Sequence, residues 1–330
     1  FFIGHFFLPA DIKSDLLPSI IKQGTYEGKL YAIGTFDSGL GLYASREKLA
    51  QVGARIPASP QDAWTADEFE AILSKLAAID PDGMVLDIRL DYRGEWYTYA
   101  FSPIIQSAGA DLIDRSDFQT AVNVLNSPEA VRGLTHLQQW LNKGYIDPNT
   151  DTQSFVEGNV ALSWCGHWEY PRYLDHLADD LILLPLPDFG TGSKTGMGSW
   201  NWSITSKCKE PGAAMEFLGF LLKTNEVLAM TNANGAVPAT GSAISASELY
   251  HEKGPLHLFV SQLKTSAVPR PQTPAYPVIT SAFQQAFLDI RNNVDVKTAL
   301  DKAVAVIEED LRDNEGYRQS GARGQGTGNR

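Results

Sequence analysis

The chain has 330 residues, of which 43% are hydrophobic and 20% charged, the composition of an ordinary globular protein with one long or two average domains. Its formal net charge of −12 argues against a nucleic-acid partner, because binding a phosphate backbone requires a basic surface. No apolar run reaches the roughly 18 residues that suggest a membrane span.

Several local features bound the chemistry further. Cys165 and Cys208 form neither a Cys-x-x-Cys motif nor a metal-ligand spacing, so no metal site is predicted and a disulfide is permitted without being indicated. Residues 1–8 are apolar but lack the basic leader and small-residue cleavage site of a signal peptide. Residues 318–330 are polar and rich in Gly and Arg, which predicts a disordered tail.

Strand and helix signals alternate along the first half of the chain. Thr65 and Glu68 form a capping box, and Ser127 followed by Pro128 is a second helix start. In chain order, the predicted elements are a turn and strand over 25–34, a strand over 40–43, a helix over 45–53, the helix after the capping box, a strand over 85–90, an aromatic-dense segment over 94–99, a helix over 101–107 and a helix over 127–143.

The second half begins with residues 155–168, FVEGNVALSWCGHW, which combine an apolar turn, a strand over 160–164 and a glycine, Gly166. A strand that ends at a glycine and turns into a helix places the first helical side chains, here His167, Trp168 and Glu169, at a cleft edge. The elements that follow are a strand over 181–184, a loop over 185–198, a tryptophan-rich strand over 199–204, a helix over 211–221, a loop over 234–239, a proline-stiffened segment over 269–277 and a helix capped by Asp295.

The pattern Phe-x-x-Gly-x-x-Ala-Leu-x-x-x-Gly-x-Trp over 155–168 resembles the signature of the extracellular solute-binding proteins of ATP-binding-cassette sugar importers, the maltose-binding-protein superfamily. Residues 26–34 resemble that family's Tyr-x-Gly-Lys-x-Tyr-Gly-Ile-Pro segment, with Gly34 where proline is usual. The helix that begins at Pro211 and the loop over 234–239 also resemble family segments, in the same order.

The resemblance implies an α/β, two-lobed periplasmic-binding-protein fold of type II, in which each lobe is a β-sheet flanked by helices and hinge strands join the lobes. Lobe 1 is expected to use residues 1–40 and 204–265, and lobe 2 residues 41–203 and 266–317. Family members carry further β-α units before the segment at 26–34. The opening strands of lobe 1 are therefore expected to be missing from this sequence.

Binding a sugar from water requires flat apolar surfaces for its C–H patches and polar groups for its hydroxyls. Trp168 aligns with the family's stacking tryptophan, and Trp200 and Trp202 share one face if their segment is a strand. Core packing is the alternative for each aromatic residue. The predicted ligand-binding residues are Phe36, Asp37, Ser38, Trp96, His167, Trp168, Glu169, Trp200, Asn201, Trp202, Arg270 and Tyr276.

By resemblance, the chain is expected to be the substrate-binding component of an ABC transporter. It would capture a sugar or oligosaccharide in the interlobe cleft and deliver it, as a monomer, to a membrane permease. Its expected location is the periplasm or the extracellular face of a membrane. Neither catalysis nor a cofactor is expected.

Three alternatives stay open at this point. A glycoside hydrolase needs two carboxylates, which Asp37, Glu169 and Asp188 could supply. An anionic sugar or a glycerophosphodiester could be the ligand, because Arg270 and His167 could bind a negatively charged group of the ligand. An interaction or sensory module would bind no small ligand at all.

Overall fold

The structure is a computed structural model that describes residue 8 and residues 10–317. The predicted tail over 318–330 and nearly all of the apolar segment over 1–8 lie outside the described residues.

Helices and short strands alternate as predicted for an α/β protein. The helices are α1 (Ala10–Asp15), α2 (Pro18–Gly24), α3 (Arg46–Gln51), α4 (Ala66–Ile79), α5 (Glu95–Ser107), α6 (Pro128–Asn142), α7 (Tyr170–Leu177), α8 (Pro211–Leu221), α9 (Thr224–Asn234), α10 (Gly241–Ala246), α11 (His257–Thr265), α12 (Tyr276–Arg291) and α13 (Val296–Asp313). The strands are β1 (Thr25–Tyr26), β2 (Lys29–Leu30), β3 (Ile33–Gly34), β4 (Phe36–Asp37), β5 (Leu40–Ser45), β6 (Leu86–Asp87), β7 (Leu162–Gly166), β8 (Leu181–Leu184), β9 (Thr195–Gly196), β10 (Asn201–Trp202), β11 (Val237–Pro238) and β12 (Ala267–Val268).

The largest sheet has four strands in the order β6-β7-β5-β8. Strand β5 pairs antiparallel with both β7 and β8, and β6 pairs parallel with β7. Because successive side chains of a strand point to opposite faces, Leu42 and Tyr43 enter two different hydrophobic cores. The sheet therefore has a buried core on each face.

The two cores draw on different helices. The first contains buried residues of α4, α5, α6, α12 and α13, and includes the stacked rings of Phe101 and Phe287, whose centroids are 4.6 Å apart. The second contains buried residues of α2, α8 and α11, together with Tyr173 of α7. Trp168 is partly buried and packs against both cores.

Most of the local predictions are confirmed, but several segments differ. Residues 25–34 contain the three two-residue strands β1, β2 and β3, and the last two residues of the proline-stiffened segment over 269–277 begin α12. The Thr65 capping box and the caps at Ser127 and Asp295 are all present. The aromatic-dense segment is the first turn and a half of α5, which starts at Glu95 and not at residue 101. The predicted strands over 85–90 and 199–204 contain only the two-residue strands β6 and β10. Both cysteines are free thiols.

Three further strand pairs bring distant parts of the chain together. Strand β3 pairs with β10 and β4 with β11, both antiparallel, while β9 and β12 are parallel. The segments around residues 36, 198, 236 and 269 therefore lie next to one another, and they frame the main cavity. The lobe boundaries given above stay a prediction.

The packing of α13 gives a direct test of the first core. Leu300 is fully buried, whereas Val306 on the same helix is 48% exposed. Leu300→Ala should lower the free energy of unfolding by about 2–5 kcal/mol, because it removes buried methyl groups and leaves a cavity. Val306→Ala should change it by less than about 0.5 kcal/mol. Urea denaturation of both variants checks this, and equal losses would contradict the assigned helix face.

Candidate functional site

A cavity of about 610 Å³ opens among the paired short strands. Its lining comes from six separate parts of the chain: the β4 segment, α5, the turn after β7, the β9–β10 loop, the end of α9 with the residues that follow it, and the segment after β12. The lining residues are Phe36, Ser38, Glu95, Tyr99, His167, Trp168, Gly198, Ser199, Trp200, Asn234, Ala236 and Arg270. The size and the aromatic content suit a small organic ligand.

Trp168 lies against the strand end that precedes it. A Cβ atom added to Gly166 would collide with the six-membered ring of the Trp168 indole. The φ of Gly166 is −102°, which any residue adopts, so the requirement for glycine is steric. The ring of Trp96 meets the indole edge-on, with the two ring centroids 6.2 Å apart. The imidazole of His167 also meets it edge-on, at a centroid distance of 5.3 Å.

Arg270 and Glu95 form an ion pair between Nε and Oε1 at the cavity wall. Glu95 also accepts hydrogen bonds from Tyr276 Oη at 2.5 Å and from Thr280 Oγ1 at 2.9 Å. Arg270 Nη1 donates to the Met197 carbonyl at 2.8 Å. Its guanidinium carbon lies 5.0 Å from the centroid of the Tyr99 ring. Both charges are therefore engaged by protein groups.

His167 faces the cavity as a neutral imidazole. His167 is only 6% exposed, and burial lowers its pKa to about 4. The backbone of Gly235 approaches the imidazole and raises its pKa against the larger effect of burial, although Nδ1 makes no hydrogen bond of normal geometry to any described residue. His167 therefore lines the cavity as an uncharged ring.

Asp37 is fully buried directly behind the cavity wall. One carboxylate oxygen accepts a hydrogen bond from the Ser38 N–H at 2.8 Å, and Gln23 Nε2 lies 3.1–3.2 Å from both oxygens. Burial raises the pKa of Asp37 to about 6 despite these donors. The neighbouring Ser38 reaches the cavity and its Oγ hydrogen-bonds Tyr99 Oη at 3.0 Å.

The structure brings half of the predicted ligand-binding residues to this cavity. These six are Phe36, Ser38, His167, Trp168, Trp200 and Arg270. Asn201 and Tyr276 line an adjoining cavity of about 400 Å³ that shares Ser199 and Arg270 with the main one.

The other four predicted residues do not line the main cavity. Asp37 lies behind its wall and Trp96 is buried against Trp168. Glu169 is paired with Arg89 at 2.9 Å and with Arg172 at 3.2 Å. Trp202 is 46% exposed and pairs with Ile33 in the strand pair β3–β10. Because only residues 201–202 are strand, Trp200 and Trp202 do not share the expected continuous strand face.

The lining residues that the sequence analysis missed are Glu95, Tyr99, Gly198, Ser199, Asn234 and Ala236. Glu95 and Tyr99 are four residues apart, and in a helix that spacing places both side chains on one face. This spacing could have predicted that both side chains face the cavity, but only if α5 had been predicted to start at Glu95. For Asn234 and Ala236 no local signal existed, since they reach the cavity through the pairing of β11 with β4.

A family model described as bacterial extracellular solute-binding protein matches residues 7–254. The chain belongs to this family. Two maltooligosaccharide ABC transporter solute-binding lipoproteins of Streptococcus pneumoniae are each 22% identical to the chain over 248 residues, which is 72% of this chain. The match spans only 57% of the length of these two relatives.

Solved structures with the same fold confirm the predicted two-lobed α/β architecture. A cyclic α-maltosyl-1,6-maltose binding protein from Arthrobacter globiformis has a TM-score of 0.78 and 21% identity, covering 94% of this chain and 81% of that one. A cyclo/maltodextrin-binding protein complexed with maltotetraose has a TM-score of 0.75 and 20% identity, covering 94% and 78%. At these identities the likeness shows the fold alone.

Two features are absent from the described residues. None of the helices between residues 10 and 317 is both long and apolar enough to cross a membrane. Within the same range, no group of three or more His, Cys, Asp or Glu side chains is arranged to hold a metal ion.

Gly166→Ala should weaken ligand binding at the cavity about tenfold, because the new methyl group displaces the Trp168 indole and a misplaced aromatic contact costs on the order of 1–3 kcal/mol. Gly219→Ala is the matched control, since a Cβ there meets no atom within 4 Å. Titration calorimetry of both variants checks the prediction. Unchanged affinity in Gly166→Ala would show that the indole position does not matter.

Asp37→Asn should alter the pH dependence of stability in a defined direction. Because burial raises the pKa of Asp37 from 3.8 to about 6, the folded protein keeps a proton between about pH 4 and pH 6 that the unfolded chain releases. The stability contributed by Asp37 is therefore full below about pH 4, and it falls as the pH rises to about 6.

The difference in unfolding free energy, wild type minus Asp37→Asn, should fall by about 3 kcal/mol across that interval, since one pKa unit corresponds to about 1.4 kcal/mol. Urea denaturation at several pH values measures it. Asp87, whose pKa burial also raises to about 6, is common to both proteins and cancels in the difference. A flat difference between pH 4 and pH 7 would contradict the prediction.

Proposed function

We propose that this solute-binding protein captures a neutral sugar or oligosaccharide in the cavity between its two lobes, for delivery to an ABC transporter permease. The observation that supports the proposal most directly is that aromatic and polar side chains line the same cavity. Trp168 and Trp200 supply indole surfaces, while Ser38, Ser199 and Asn234 supply hydroxyl and amide groups. Sugars require both kinds of surface.

The charges around the cavity favour a neutral ligand over an anionic one. Arg270 is the cationic side chain of the lining, and Glu95 already neutralises it. His167 carries no charge at neutral pH, because burial lowers its pKa to about 4. An anionic sugar or a glycerophosphodiester would therefore lose hydration without gaining an unpaired positive partner.

The carboxylates favour binding over hydrolysis. A glycosidase positions two carboxyl groups about 5–10 Å apart across the scissile bond. Of the three residues considered for this role, Asp37 is fully buried, Glu169 is held by two arginines and Asp188 accepts hydrogen bonds from the N–H groups of Gly190 and Gly192. Among the described residues that line the cavity, Glu95 is the one carboxylate, and it is paired with Arg270.

The relatives support the carbohydrate class. The two Streptococcus pneumoniae relatives are maltooligosaccharide solute-binding lipoproteins, and the two structural neighbours described above are a cyclic α-maltosyl-1,6-maltose binding protein and a cyclo/maltodextrin-binding protein. We propose further that the protein is non-enzymatic and monomeric and that it acts outside the cytoplasm. Its lobe 1 would comprise residues 1–40 and 204–265, and its lobe 2 residues 41–203 and 266–317. Trp200 is 83% exposed in this structure, and closure of the lobes over a ligand would bury it.

Titration calorimetry with neutral mono- and oligosaccharides and the corresponding uronic acids tests the proposal. Wild-type protein should bind a neutral oligosaccharide, and Trp168→Ala should lose about 1–3 kcal/mol of binding free energy. Phe217→Ala is the matched control, because Phe217 is a 57% exposed aromatic residue of α8 that does not line the cavity.

Three outcomes would count against the proposal. Binding of uronic acids in preference to neutral sugars would reject the neutral ligand. Release of reducing sugar from a bound oligosaccharide would reject a purely binding role. Failure of every carbohydrate in the panel to bind would reject the ligand class.

A further inference from the structure

We propose that Tyr92, held by Glu169 and the buried Arg89, is a positioning residue that fixes the orientation of the Trp168 indole. The inference deepens the proposed function and rests on it, since it concerns the surface on which the sugar would stack. None of these three residues lines the cavity. Their side chains instead form a connected polar chain on the protein side of Trp168.

The first link is the hydrogen bond from Trp168 Nε1 to Tyr92 Oη, at 2.9 Å. Tyr92 Oη in turn donates to Glu169 Oε1 at 3.3 Å. One phenol therefore holds two successive side chains of the short 3₁₀ turn over 167–169. A hydroxyl group can accept from the indole and donate to the carboxylate at the same time, so the two bonds are compatible.

Arg89 anchors the other end of this chain. Its side chain is 2% exposed, and Nη1 lies 2.9 Å from Glu169 Oε1. Nε and Nη2 each donate to one carboxylate oxygen of Asp91, both at 2.9 Å. The guanidinium carbon lies 4.5 Å from the centroid of the Tyr92 ring. A buried arginine with a bidentate partner is held rigidly, so it can fix Glu169 and Tyr92 in turn.

The hydrogen bond to Tyr92 adds a directional contact to the packing that holds Trp168. Trp168 is half-buried, it belongs to a three-residue 3₁₀ turn, and its six-membered ring lies against the backbone of Gly166. Stacking on a sugar requires that the indole be present and that its plane be held in the right orientation. The hydrogen bond at Nε1 fixes that plane from the end of the ring system that points away from Gly166.

A double-mutant cycle separates positioning from general packing. Tyr92→Phe keeps the ring and removes only the hydroxyl, and it should weaken oligosaccharide binding about three- to tenfold, the range expected for one hydrogen bond. In the Trp168→Phe background, which has no Nε1, Tyr92→Phe should cause less than about a twofold further loss. Titration calorimetry measures all four proteins, and thermal melts check that each is folded.

Tyr173→Phe is the matched control. Tyr173 is also a buried phenol near Arg89, with Oη 3.4 Å from Nη1, but its hydroxyl bonds Ser163 and does not contact Trp168. It should leave the affinity unchanged within about twofold.

The outcomes distinguish this inference from the proposed function. Wild-type affinity in Tyr92→Phe, an equal loss in Tyr173→Phe, or a full additional loss in the Trp168→Phe background would overturn the positioning role while leaving the sugar site intact. Wild-type affinity in Trp168→Phe would overturn the positioning role together with the stacking surface. Absence of any carbohydrate binding by the wild-type protein would instead reject the proposed function.

Discussion

The close contact between the Trp168 indole and the Cα of Gly166 is the constraint on which the candidate site depends. Strand β7 ends at Gly166, and the chain turns immediately, so the indole folds back over the end of its own strand. Any side chain at residue 166 would occupy the same volume. This arrangement places one aromatic ring at the meeting point of both hydrophobic cores and the main cavity.

Charge in and around the cavity is paired within the protein. Glu95 and Arg270 neutralise each other, Arg89 is surrounded by carboxylates, and Asp37 is buried with a raised pKa. A site whose ionic groups satisfy one another offers ligands hydrogen bonds and aromatic surface but little net field. That pattern suits a ligand with many hydroxyl groups and no charge, and it explains why acidic and basic residues near a cleft need not be reactive.

Local patterns in the sequence were enough to predict many of the helices and strands. The capping box at Thr65, the caps at Ser127 and Asp295, and strands β5 and β8 all follow from signals contained within a few residues. The segment over 94–99 shows the limit of such signals. Its aromatic residues indicated a packed region, but only its helical geometry turns Glu95 and Tyr99 toward the same cavity.

The sequence by itself determined the family and the Gly-x-Trp turn at 166–168, because both are recognised from short runs of contiguous residues. The α/β architecture then followed from the resemblance to the family. Tertiary structure decided which polar residues face the cavity. Glu169 was expected to reach the ligand, yet it pairs with Arg89, a residue far away in the chain. Glu95 was overlooked, yet it meets Arg270 at the cavity wall. Partners of this kind are set by the pairing of strands that are distant in sequence, and local periodicity contains no information about such pairs.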